Sequence, residues 1–243
     1  MKRIIEYRIT RIFFYIFMIV LLLVVAVIAR GNRTKKAIKA FTDRGVFVCS
    51  IGNVEYYKVP KKYSYEDANG IIDGYGDHTI GTIGDIYVND GNPMGIFGGD
   101  FVTKRLFIGH GSIVSDNDGS HIYEIMGYLP YNYLKESDNG WYGETITINM
   151  VVLRPKQVNK EILVDYLKEN EGAKYNFFFI THPKHRFYCL DLLSRSLRAA
   201  GSEVENNIAT LGCDFICSDE LYMIYYKECI GYRKYRIYYL SEN

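Results

Sequence analysis

The sequence predicts an α+β fold in which an antiparallel sheet is packed on helices, preceded by one N-terminal transmembrane helix. Three observations predict it. Ile12 to Ala29 is an uncharged apolar run of eighteen residues, about enough to span a bilayer core as a helix. From Gly45 to Leu153, short β-rich runs alternate with Gly and Asn/Asp punctuation, the pattern of strands and turns. Beyond Leu153 the apolar spacing changes to a helical period. Of 243 residues, 48% are hydrophobic and 15% aromatic, which excludes a disordered chain. A formal net charge of +1 argues against a nucleic-acid partner.

The elements follow in chain order. Residues 1–11 form a basic tail carrying Lys2, Arg3, Arg8 and Arg11, and residues 12–29 form the membrane segment. Val27 and Ala29 leave signal-peptide cleavage as the alternative, but the apolar run exceeds an ordinary signal core, so an uncleaved anchor is expected. Both flanks are positive, since Arg30, Arg33, Lys35, Lys36 and Lys39 follow the run, and the positive-inside rule nearly cancels. The expected topology is single-pass, with the domain outside the cytoplasm. Residues 30–44 read as a solvated juxtamembrane linker and residues 45–243 as one domain, which is mildly acidic once the basic N-terminal residues are set apart.

Strands are expected at 45–52, 54–59 and 84–88, with turns at 67–70, 73–76 and 89–92. Lys104–Val114 and His121–Met126 read as a hairpin around Ser115–Ser120, and Glu144–Leu153 as a further strand rich in β-branched residues. Val158, Ile162 and Tyr166, with Leu163 and Leu167 beside them, form a helical stripe ending at Gly172. Tyr175–Ile180 is an aromatic run whose state stays open. Tyr188–Ala200 is a helix stopped by Gly201; Ser218–Tyr226 reads as a short helix and Tyr232–Leu240 as the last strand. No internal repeat and no phosphate-binding glycine motif is present.

Five cysteines (Cys49, Cys189, Cys213, Cys217, Cys229) are too few and too scattered for a disulfide scaffold. Cys189 stands at the expected start of a helix, where free amides and the helix dipole favour thiolate over thiol. By that placement it is the one nucleophile candidate. A thiol nucleophile requires a base, usually an imidazole oriented by a third polar group. His110 lies between two glycines that permit close approach of other groups, although a histidine among apolar neighbours is by default a buried one. Glu124 sits in the following strand among apolar residues, where a carboxylate is costly unless paired. Whether the two meet depends on the hairpin. A loop of Asn117-Asp118-Gly119 with Gly119 left-handed sets Ser112 opposite Glu124 and puts His110 diagonally within reach on the same face. A two-residue Asp118-Gly119 loop sends Glu124 to the opposite face.

Gly84-Asp85-Ile86, then Gly109–Val114, then Glu124, then Tyr188-Cys189 before a helix resemble, in that order, the YiiX-like permuted papain-type cysteine amidases of the NlpC superfamily. The resemblance spans about Gly84 to Leu221 and includes the Ser218–Leu221 segment. It implies a circularly permuted papain-like (NlpC-type) fold, with Cys189 as nucleophile, His110 as base, Glu124 as orienting group and no cofactor. Leu190 and Asp191 depart from the family's usual Ser and Glu after the cysteine.

The implied function is a membrane-anchored cysteine hydrolase that cleaves an amide or other acyl bond through a thioester. Its substrate would be a peptide, an acylated amino acid or a lipid-like molecule. The alternatives are an acyltransferase using the same cysteine, akin to lecithin retinol acyltransferase, and an inactive tethered module binding peptide or lipid. His182 and His185 with Cys189 make a poor metal set, because Pro183 breaks the helix that would align them. Cys213 and Cys217 form a lone C-x-x-x-C, Ser112 lacks the G-x-S-x-G context, and Asp116–Asp118 read as turn residues.

Overall fold

A computed structural model describes residues 2–71, 79–91, 100–141, 148–179, 183–205, 207 and 209–242, with side chains from Thr10 onward. The chain begins with α1 (Lys2–Thr42), then β1 (Val46–Ile51), β2 (Val54–Pro60), β3 (Ile86–Asn89), α2 (Asp100–Leu106), β4 (Gly111–Val114) and β5 (His121–Glu124). There follow β6 (Lys135–Asp138), β7 (Met150–Pro155), α3 (Lys160–Glu169), β8 (Lys174–Tyr175), β9 (Arg186–Phe187) and α4 (Cys189–Ala199). The last elements are α5 (Gly212–Ile216), β10 (Leu221–Gly231) and β11 (Lys234–Ser241). Nine strands form one sheet in the order β1-β2-β11-β10-β7-β3-β4-β5-β6, antiparallel throughout except for the parallel β2–β11 pair. The fold is thus α+β with a large sheet and one long apolar N-terminal helix.

The centre of the sheet is apolar on both faces. Ile86, Val88, Ile113, Val114, Val151 and Val152 are fully buried, as expected of β-branched residues on a doubly covered pleated surface. Val88 and Gly111 are register partners and share one face. A Cβ at Gly111 would lie 2.8 Å from the side chains of Leu190 and Leu193, and one at Gly212 would lie 2.5 Å from Val88. Helices α4 and α5 therefore lie side by side over that face. On the opposite face, Tyr87, Ser112 and Glu124 stand in register. A buried clamp ties β7 to the segment before β3: Arg154 of β7 donates to both Asp85 carboxylate oxygens at 2.8 and 2.6 Å and to the Asp67 and Asn69 carbonyls.

Helix α1 does not stop where its apolar run ends. Its most apolar eighteen-residue window has a mean hydropathy of 3.3 and is not buried inside the protein; by length and composition it suits a membrane span or a signal sequence. The helix then continues through residues 30–42, which correct the expectation of a solvated linker. Thr34 and Phe41 are buried, Arg30 pairs with Asp214 at 3.4 Å, and Gly31 lies against Arg105 of α2.

Two further expectations are corrected. Residues 100–106, partly assigned to a strand, form α2, whose exposed side carries an Asp100–Lys104 pair at 2.9 Å. Phe107 then takes a left-handed φ of 51°, which breaks the period-two alternation before β4 begins. Residues 221–226, assigned to a helix, lie in β10, while a short helix, α5, comes just before them. Leu221 to Lys227 are all buried between β7 and β11, and a fully buried apolar run carries no period that separates strand from helix. The strand expected from Glu144 is seen as β7 from Met150; residues 144–147, the turn at 73–76, Asn92 and Ile180 lie outside the described residues. Strands β1, β2, β3, β5 and β11, the Asn159-capped α3 and α4 fall where the spacing predicts them, with ends shifted by one to three residues, whereas the short strands β6, β8 and β9 are not expected from it.

Candidate active site

Cys189 is the first residue of α4. Tyr188 precedes it in extended conformation without a side-chain cap, so amides of the first helical turn are not consumed by capping. The Tyr188 hydroxyl accepts from the Thr210 amide at 2.7 Å, and Phe187 and Leu192 are fully buried on either side. These contacts fix the start of α4. The close seat of α4 on the sheet requires Gly111, and Leu190, the residue that departs from the family pattern, fills that seat. Next to it, Asp191 is buried and pairs with Arg195 at 3.4 Å.

His110 immediately precedes β4. Its amide donates to the Asn89 side-chain oxygen at 2.9 Å, and its carbonyl accepts from the Asn89 amide at 3.0 Å. Gly109 lies so close to Asn89 that a side chain there would collide with the Asn89 carboxamide oxygen and backbone carbonyl. The glycines around His110 therefore serve two approaches, Asn89 on one side and α4 on the other.

The hairpin settles the pairing of His110 with Glu124. Gly119 has φ 73°, and Ser112 stands opposite Glu124 in register, the parity expected of the three-residue loop. His110 Nε2 lies 3.1 Å from Glu124 Oε2, and Glu124 Oε1 accepts from the Ser137 hydroxyl at 3.0 Å. Nε2 being engaged with Glu124, Nδ1 is the nitrogen left for Cys189, whose side chain acts on the ring to favour its protonated form. The imidazole side chain is 18% exposed, so the site is covered yet reachable.

Burial acts to lower the His110 pKa, but the bonds to Cys189 and Glu124 and their charges outweigh it, and the ring is raised to about 9. Burial acts to raise Glu124, and the His110 and Ser137 hydrogen bonds, with Lys135 nearby, bring it below the ordinary glutamate value. Part of the His110 shift and the lowering of Glu124 are one interaction seen from each partner, an imidazolium–carboxylate pair favoured at neutral pH; the rest of the His110 shift comes from Cys189. Tyr175, buried beside Cys189, is held protonated above its ordinary range by burial.

Three residues of this assembly are not apparent in the sequence. Trp141 stacks on the imidazole, with centroids 5.4 Å apart and planes 22° from parallel, and is held by Asn139 and Tyr87. Ser137 supports Glu124. Asn89, read as part of a turn, ties β3 to Gly91 and His110. Only the rarity of tryptophan, a single residue in the chain, was a signal. Ser112, buried beside Glu124, has no hydrogen-bond partner for its hydroxyl among the described residues.

The other candidates lie elsewhere. His182 falls outside the described residues, and His185 is exposed. Among the described residues no group of three potential metal ligands occurs, and Cys49, Cys189, Cys213, Cys217 and Cys229 are all free thiols. Burial raises Cys217, and it pushes Cys213 up to about 12. No family model, no curated protein and no solved structure matches this chain.

Proposed function

We propose that this protein is a membrane-anchored cysteine hydrolase of the permuted papain kind, cleaving an amide or ester bond through a thioester on Cys189. One observation carries the reading: a thiol at a helix start, an imidazole and a carboxylate, distant in sequence, converge, with the imidazole hydrogen-bonded to the carboxylate and its protonation favoured by the thiol beside it. The order His110, Glu124, Cys189, with Gly84-Asp85-Ile86 before them, supports the permuted family. The apolar run of α1 supports the anchor.

In the first half-reaction the Cys189 sulfur attacks the carbonyl carbon, and an S–C bond forms. His110 delivers its proton to the leaving nitrogen or oxygen as the C–N or C–O bond breaks. The Cys189 amide, left without a side-chain cap at the helix start, would receive the developing oxyanion. Water then attacks the thioester, giving a proton to His110; the S–C bond breaks and the carboxylic acid leaves. Glu124 keeps the ring oriented and its charged form favoured, and Trp141 covers the ring face so that the His110–Glu124 bond is not exchanged for water.

The test is turnover of a panel of fluorogenic acyl amides and esters by the full chain in detergent, followed by intact-mass analysis under acid quench. An acyl adduct on Cys189 that accumulates and decays with product release is expected. Product release that persists undiminished in Cys189→Ala would exclude the assignment.

A further inference from the structure

The mouth of the site is bordered by an apolar rim. Loop 127–134 and segment 173–179 are laced together: Tyr175 N donates to Asn132 O at 2.9 Å, Leu134 N to Ala173 O at 2.8 Å, and Tyr133 bridges to Lys174. The Tyr175 ring lies against Gly127, and Phe179 meets the Tyr188 ring at 5.3 Å, one residue from Cys189. This ordered backbone holds Tyr128, Leu129, Tyr131, Phe177, Phe178 and Phe179 outward, with Leu129 80% and Phe178 73% exposed. Six large apolar side chains on two bonded segments exceed the scattered exposure normal for a soluble surface. Tyrosines with cations nearby are the composition of a membrane-interface belt. Lys135 lies over the Tyr131 ring and Lys174 over the Tyr133 ring, and Lys184 and Arg186 are exposed close by in sequence.

The second observation is where α1 leaves the domain. Arg30 contacts Asp214 of α5, and Gly31 contacts Arg105 of α2. Helix α2 leads within four residues to His110, and α5 follows Thr210, the partner of Tyr188. The apolar run of α1 therefore leaves the protein against α2 and α5, the elements that lead into His110 and follow the Tyr188 partner Thr210.

We propose that the rim of Tyr128, Leu129, Tyr131 and Phe177–Phe179 seats on the bilayer that α1 crosses, and that the substrate is an acylated amphiphile taken from that leaflet. The acyl chain stays on the rim side, and the amide or ester at headgroup depth meets Cys189. This rests on the hydrolase reading above and names its substrate class. The occupant is lipid rather than protein because the same chain already brings a membrane-length apolar segment against α2 and α5, and because the rim is edged with cations suited to anionic headgroups.

The test uses the full chain reconstituted in phosphatidylcholine–phosphatidylglycerol vesicles whose acyl chains carry bromine near the headgroup. Trp141 is the single tryptophan and is buried, so Phe178→Trp adds one reporter on the rim. Bromine should quench the added emission while leaving the parent emission unchanged; added emission that bromine leaves intact overturns the proposal. In a second arm, Leu129→Ser with Phe178→Ser should lower turnover of a bilayer-held N-acyl amino acid by at least about tenfold more than turnover of a water-soluble short-chain ester. Equal losses on both substrates overturn it, as does rim-dependent binding of a soluble peptide with no quenching by lipid. A parent protein that turns over neither substrate refutes the hydrolase reading, while the quenching still decides the rim.

Discussion

Two cysteines stand in the first turn of a helix, and they differ in almost everything else. Cys189 opens α4 beside His110, which Glu124 and Ser137 hold in place. Cys213 is the second residue of α5, nearly fully buried, with the Asp214 carboxylate next to it. Burial first, and then that carboxylate, push its thiol up to about 12. A helix start therefore does not make a nucleophile. The helix dipole contributes at most a modest bias, which burial and a neighbouring anion overturn at Cys213. At Cys189 a hydrogen-bonded imidazolium supplies the opposite charge. The reading that Cys189 alone begins a helix is corrected, and the pairing with His110 takes its place as the distinguishing feature.

The comparison can be broken at five points, taken from the largest expected effect. Cys189→Ala should reduce acyl-bond turnover by roughly four orders of magnitude, with circular dichroism unchanged, while Cys213→Ala leaves turnover close to that of the parent. His110→Ala should cost about 10³-fold in turnover and abolish selective labelling of Cys189. Glu124→Gln should cost roughly 10- to 100-fold, because it keeps a hydrogen-bonding group but loses the charge that favours imidazolium. The alkaline limb of its rate profile, expected at about 9 in the parent, should move to lower pH, read from kcat/KM against pH.

Gly111→Ala should destabilise the fold by about 1–3 kcal/mol in denaturant unfolding, since its Cβ meets Leu190 and Leu193 in the core. The corresponding lowering of activity should exceed that of an equally destabilising change at Leu240, far along the sheet from α4. The smallest effect is in stability against pH. The folded imidazole titrates near 9 against an ordinary 6.5, so its stabilising contribution is complete below pH 6.5 and is lost as pH rises through about 9. The parent should lose stability across that window relative to His110→Ala, read from denaturant unfolding at the two ends of it.

Much of this site was legible locally. A three-residue turn fixes hairpin parity, and parity alone decides that His110 and Glu124 share a face. A stripe of leucines closed by Gly201 locates α4 and its first residue. What was illegible depends on distant partners. Trp141 reaches His110 through Asn139 and Tyr87, contacts that no spacing encodes. Residues 104–110 have strand-like alternation, but the left-handed Phe107 separates a short helix from β4. The run from Leu221 is buried from both sides, so its period is silent. Residues 30–42 are polar enough for a solvated stalk, yet Thr34 and Phe41 dock on the domain and Arg30 pairs with Asp214 of α5.

The most direct measurement is the alkylation rate of each cysteine in the full chain at pH 7, mapped by peptide mass spectrometry in the parent and in His110→Ala. Cys189 should label at least about 100-fold faster than Cys213 in the parent, and that advantage should collapse when His110 is removed. Equal labelling of the two thiols in the parent, or a Cys189 rate unaltered by loss of His110, would contradict the account.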